Sequence, residues 1–145
     1  MIAAAVVDAS VAVKWVVEET GSDAARLLSH AHLIAPDLLL TECANILWKK
    51  VQLGDLKKDG ATARLNALLA APVEIATSRE LLAPALKLAI ELKHPVYDCL
   101  YLALAARRGI PLVTADARLA KVVRRHASLS VRVQLLEDLK SPGEG

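Results

Sequence analysis

Phenylalanine is absent from this chain of 145 residues, and tryptophan and tyrosine bring the aromatic share to only 3%. The chain therefore lacks the base-stacking surface with which RRM and OB modules hold single strands. Cysteine is scarce as well. Cys43 and Cys99 are too few for a disulfide framework, and neither lies in a C-x-x-C pair. Both stand in apolar segments, where buried reduced thiols are expected. No uncharged apolar run approaches the roughly 18 residues of a membrane span. The opening "MIAAAVVDAS" has no basic n-region and is interrupted at Asp8, so it does not read as a signal peptide. A cytoplasmic protein is the expectation. Neither sign of charge dominates: the net charge is +2 and the pI about 8.6. That balance permits a nucleic-acid partner without arguing for one. The basic pairs Lys49–Lys50, Lys57–Lys58, Arg107–Arg108 and Arg124–Arg125 read as solvated helix ends.

What the chain does have is apolar residue, 54% of it. That suits one compact domain with a sizeable core, or a core plus apolar surface covered by a partner. Short apolar runs at residues 2–7, 33–36, 72–76 and 110–115 read as strands, the first of them a buried parallel one. Between them lie helical patterns: from Ser10 to Glu19, over 22–31, over 36–54 between Pro36 and Gly54, over 60–70, from Ser78 to His94, over 95–109 between Pro95 and Gly109, and from Asp116 to His126. "VRVQLLEDL" adds a last strand and a short helix, and the tail "KSPGEG" is expected to lack order. Strands alternating with longer helices predict an α/β domain with a mostly parallel sheet and helices on both faces. In such sheets functional groups gather beyond the carboxyl ends of the strands.

Four acids interrupt this apolar pattern: Asp8, Glu42, Asp98 and Asp116. Asp8 and Asp116 sit just past expected strand ends, where a helix cap is the bland explanation for each. Glu42 lies in a largely apolar helix. Asp98, in "VYDCLYLALAA", is hardest to explain as a cap, because a helix apolar nearly all round is usually buried and a buried carboxylate needs compensation. No basic residue is obviously placed to partner these acids. If they converge they repel one another, and a divalent cation is the simplest compensation. Hard ions such as Mg²⁺ or Mn²⁺ prefer oxygen ligands, and an oxygen-only site at a sheet edge suits phosphodiester chemistry.

At these residues the chain resembles PIN-domain endoribonucleases, and in particular the VapC-type toxins of VapBC toxin–antitoxin pairs. The resemblance is carried by "VVDASVAVKW", "APDLLLTECANIL" and "HPVYDCLYLALAARRGIPLVTAD", in that order. It implies a PIN-like three-layer α/β/α sandwich, a single domain over residues 1–139 with a tail at 140–145. It implies an acidic metal site of Asp8, Glu42, Asp98 and Asp116, with Ser10 and Thr114 as supporting hydroxyls. It also implies Mg²⁺ or Mn²⁺ as cofactor, RNA as substrate, a homodimer, and a VapB-like antitoxin that wraps the toxin. Some family members carry a further acid after the fourth; here Ala117 and Arg118 follow Asp116.

Other residues carry less. Trp15 and Trp48 read as core, with an antitoxin groove as the sharper alternative. Tyr97 and Tyr101 flank Asp98 and are expected to pack beside the site. His30 and His32 lack supporting ligands, and neither His94 nor His126 has the placement of a general base. Lys14 is expected to be solvated. Two competing functions remain in view. One is a PIN fold that has lost activity and only holds a partner, against which the presence of all four acids argues. The other is a phosphoryl-accepting regulator or phosphatase, for which "VVDAS" has one acid where such proteins need two.

Overall fold

The computed structural model describes residues 2–126, 129 and 131–140. Five strands form one sheet: β1 (Ala4–Val7), β2 (His32–Pro36), β3 (Val73–Ala76), β4 (Leu112–Thr114) and β5 (Val133–Leu135). Their order is β3-β2-β1-β4-β5, and every neighbouring pair is parallel. Seven helices connect them: α1 (Ala9–Ala12), α2 (Ser22–Arg26), α3 (Leu38–Gln52), α4 (Lys58–Leu69), α5 (Ser78–Leu92), α6 (Val96–Arg108) and α7 (Ala117–Arg124). Short 3₁₀ turns occupy Val13–Trp15 and Leu136–Asp138.

Strand side chains alternate between faces, and this splits the core in two. Val6, Ile34 and Leu112 join α3, α5 and α6 on the larger side. Ala5, Val7, Leu33 and Val113 pack with Ala25, Leu28 and Leu136 on the other. The result is the expected three-layer α/β/α sandwich. Its central element is α6. Pro95 precedes it, Asp98 lies in its first turn, Arg107 and Arg108 in its last, and Gly109 closes it at φ 65°. Cys99 to Ala105 are all buried, as the nearly all-round apolar pattern requires. The exposed strand β3 carries Glu74 on its edge, where Arg108 bonds it, a charged finish that discourages pairing with another sheet.

Two helices are shorter than their patterns suggest. The helix expected from Ser10 to Glu19 stops at Ala12 and tightens into the 3₁₀ turn. Side-chain bonds fix the bend that follows: Trp15 Nε1 donates to Ala25 O at 3.0 Å, and Ser22 Oγ to Val17 O at 3.0 Å. The helix expected over 22–31 ends at Arg26. Helix α4 begins two residues earlier than expected, at Lys58, and takes Gly60 into its first turn. Of the expected tail at 140–145, Lys140 is described and residues 141–145 lie outside the described residues.

Candidate active site

Strand order sets the location. From β1 the sheet grows outward through β2 and β3 on one side and through β4 and β5 on the other. The carboxyl ends of β1 and β4 therefore flank the point where the winding reverses, which is where open parallel sheets form their binding crevice. Asp8 directly follows β1, and Thr114 is the last residue of β4.

Asp8 is only 6% exposed. Ser10 Oγ donates to its Oδ1 at 2.5 Å, and Thr114 Oγ1 donates to its Oδ2. Each hydroxyl in turn accepts a backbone N–H, Ser10 from Ala115 at 3.0 Å and Thr114 from Asp116 at 3.0 Å. Burial pushes the Asp8 carboxyl up to about 6; the two hydroxyl donors oppose that rise, and the charge of Asp98 adds to it. Asp8 holds the N-cap position of α1 but makes no side-chain cap bond.

Glu42 projects from the second turn of α3, which starts directly after β2. Tyr101, 1% exposed on α6, donates its hydroxyl hydrogen to Glu42 Oε1 at 2.5 Å. Burial raises the Glu42 carboxyl, the phenol opposes that, and Asp98 raises it further. Burial and the neighbouring carboxylates push the phenol itself far above its usual range, so it stays a donor. The thiols beside these acids are inert for the same reason: burial pushes Cys43 up to about 12 and Cys99 up to about 11.

Asp98 has a partner that the sequence did not disclose. His94 Nε2 lies 2.6 Å from Asp98 Oδ2. The expectation that no basic residue attends the acids is thus corrected. The pair spans i to i+4 across Pro95, with α5 capped by Lys93 in the left-handed region (φ 53°) and His94 N bonded back to Ala89 O at 3.1 Å. The four-residue step from His94 to Asp98 is local, but Pro95 sets His94 outside α6.

Asp98 acts electrostatically on both Asp8 and Glu42, so these three carboxylates share one field. Asp116 sits at the same rim, but its Oδ1 accepts from Arg118 N at 2.9 Å and Leu119 N at 3.3 Å, capping α7. Among the described residues no three His, Cys, Asp or Glu side chains are already gathered as a ligand shell. Each acid instead holds hydrogen-bond donors. Lys14 turns away to Glu19 Oε1 at 3.1 Å. Trp48 is 55% exposed and Tyr97 60%, so neither is core. His32 opens β2 and lies 3.5 Å from Glu74. A cavity of about 690 Å³ lies at the opposite rim, among Ala4, Pro111, Arg124 and Arg132, away from the acids.

A parallel sheet whose reversal point is lined by acids defines a class of α/β proteins with an oxygen-donor site. Within that class, a PIN domain model matches residues 5–125. The chain belongs to the PIN-domain family. It is 38% identical over 120 residues to Ribonuclease VapC3 of Pyrobaculum aerophilum, an alignment covering 80% of this chain and 92% of that protein. A crystal structure of PAE2754 from Pyrobaculum aerophilum superposes with a TM-score of 0.70 at 24% identity, covering 94% of this chain and 85% of that one. A second, of VapBC2 from Rickettsia felis bound to a DNA fragment from their promoter, gives 0.65 at 15% identity, covering 91% and 98%.

Proposed function

We propose that this chain is a metal-dependent endoribonuclease of the VapC toxin type, and that Asp8, Glu42, Asp98 and Asp116 form its metal site. The observation that carries the reading is the three-carboxylate field at the strand-order reversal, with Asp8 buried and pushed up to about 6. Hydroxyl donors offset only part of that burial, and a cation would offset the rest. The donor set fits a hard divalent ion: it offers oxygen atoms alone, and the nearby thiols are held protonated by burial. When bound, Mg²⁺ or Mn²⁺ supplies Lewis acidity toward the scissile phosphodiester and lowers the pKa of the attacking water.

The chain's own residues do the rest. Ser10 and Thr114 fix both oxygens of Asp8 in orientation. His94 restrains one oxygen of Asp98. Asp116 caps α7 through Oδ1 alone, and its other oxygen would serve the metal. RNA as substrate is supported by the ribonuclease name of the 38% identical relative.

A VapB-like antitoxin is supported by the VapBC complex among the structural neighbours. The groove between α3 and α4 beside exposed Trp48 offers it an apolar seat, lined by Ala44, Leu47, Val51, Ala61 and Leu65. A homodimer is supported by Leu82, Leu86 and Ile90, exposed at i, i+4 and i+8 along α5. Among the described residues no helix is long and apolar enough to cross a membrane. A cytoplasmic location belongs to the same proposal and is supported by the likeness to Ribonuclease VapC3.

The test is cleavage of total RNA by the purified protein with mapped ends, alongside EDTA and Asp98→Asn controls. Cleavage that survives both controls defeats the proposal.

A further inference from the structure

We infer that Tyr101 is a positioning residue for Glu42: its buried phenol O–H fixes one carboxylate oxygen so that the other faces the site. The inference rests on the metal-dependent reading above and assigns a role to a residue outside the acidic set. Three observations lead to it.

First, Tyr101 is 1% exposed in a helix that is otherwise apolar from Cys99 to Ala105. A buried hydroxyl without a partner is costly, and the partner it takes is a carboxylate 59 positions away, Glu42 Oε1 at 2.5 Å. Second, the bond is one-sided. Among the described residues the Glu42 side chain makes this one hydrogen bond, through Oε1, so Oε2 is left available. Third, Asp98 and Tyr101 are three residues apart on α6, hence on one helix face. A single rigid helix thus supplies one acid directly and holds a second, on α3, by its phenol. A tyrosine has two side-chain torsions before its hydroxyl and loses little freedom when its ring is packed. It suits the task of setting a flexible glutamate against a fixed frame.

Calorimetric titration of the full chain with Mn²⁺ tests this, using wild type, Tyr101→Phe, Glu42→Gln and the double variant. Phenylalanine keeps the ring and removes only the donor. Tyr101→Phe is expected to weaken Mn²⁺ binding roughly tenfold, within the range seen when an outer-shell partner of a metal ligand is lost. Added to Glu42→Gln it is expected to cost nothing more, because the phenol acts through that carboxylate. Binding within twofold of wild type in Tyr101→Phe, or losses that multiply in the double variant, overturns the positioning role while leaving the metal site standing. A wild type that binds no Mn²⁺ overturns the metal-dependent reading and this inference together.

If Tyr101→Phe does not fold, Tyr97→Phe makes Tyr101 the sole tyrosine, and its near-ultraviolet difference spectrum on Mn²⁺ addition takes over. A tyrosine change that saturates with the calorimetric affinity supports the role. A flat tyrosine signal across that titration overturns it.

Discussion

Thr114, the last residue of β4, donates its hydroxyl hydrogen to Oδ2 of Asp8, the first residue beyond β1, across 106 positions of sequence. Strand pairing makes this bond possible, because Val7 and Val113 are in register in adjacent parallel strands. The hydroxyl is fully buried and also accepts the N–H of Asp116. Thr114→Val keeps the shape and removes both bonds. It is expected to destabilise the protein by about 1–3 kcal/mol, since a buried carboxylate loses a donor, and to raise the Asp8 carboxyl further. Denaturant unfolding at neutral pH checks the first effect, and the pH profile described next checks the second.

The elevated Asp8 carboxyl makes the metal-free protein less stable as pH rises. The folded state holds its proton up to about 6, whereas the unfolded chain releases it near 3.8. Between those values the folded state binds more protons, so unfolding free energy falls with rising pH by up to about 3 kcal/mol. Glu42, also raised, adds to the same trend. Glu19, lowered by Lys50 and Lys14 against its own burial, works in the opposite direction at lower pH. The difference between wild type and Asp8→Asn in EDTA isolates the Asp8 contribution. Asp8→Asn should be the more stable protein above pH 6 and lose that advantage toward pH 4. A difference that stays flat with pH would contradict the assignment.

Metal is expected to offset most of that pH trend. An ion that binds only the folded protein stabilises it by about 2.7 kcal/mol at a hundredfold excess over its Kd. Mn²⁺ should therefore raise the melting temperature of the wild type, more strongly above pH 6 where Asp8 has lost its proton. Asp98→Asn should show little of this rise and should lose roughly 100-fold or more in RNA cleavage, at least what loss of an outer-shell partner costs. Repulsion alone would make the metal-free Asp98→Asn protein as stable as wild type or more so. The His94 bond offsets that gain, so the larger stabilisation belongs to Asp8→Asn.

The phosphoryl-acceptor alternative predicts labelling of Asp8 by a small acyl phosphate. No labelling is expected, because Asp8 stands alone at its strand end, with Ser10 two positions on where such phosphoryl acceptors need a second acid. Intact-mass measurement after incubation with acetyl phosphate checks this. A gain of one phosphoryl group lost on Asp8→Asn would revive the alternative.

What the sequence disclosed follows from how local each signal is. The run ending at Val7, the nearly all-apolar helix around Asp98 and the cap at Asp116 each rest on a few adjacent residues, and each appears in the structure. The early break after Ala12 was hidden, because it depends on Trp15 and Ser22 finding backbone carbonyls some residues away. The Tyr101–Glu42 bond was hidden for a stronger reason. Nothing near either residue names the other, and only the packing of α6 against α3 and the sheet brings them together. His94 was the one missed partner with a local mark, its four-residue step to Asp98.

Because Asp8 emerges early and the strand bearing Thr114 emerges late, assembly of this crevice waits on nearly the whole polypeptide. A fragment released before residue 112 keeps three of the four acids and has no β4 to seat beside β1. Partly synthesised copies thereby lack one wall of this crevice, and the rim is complete only once the chain has passed the fourth strand.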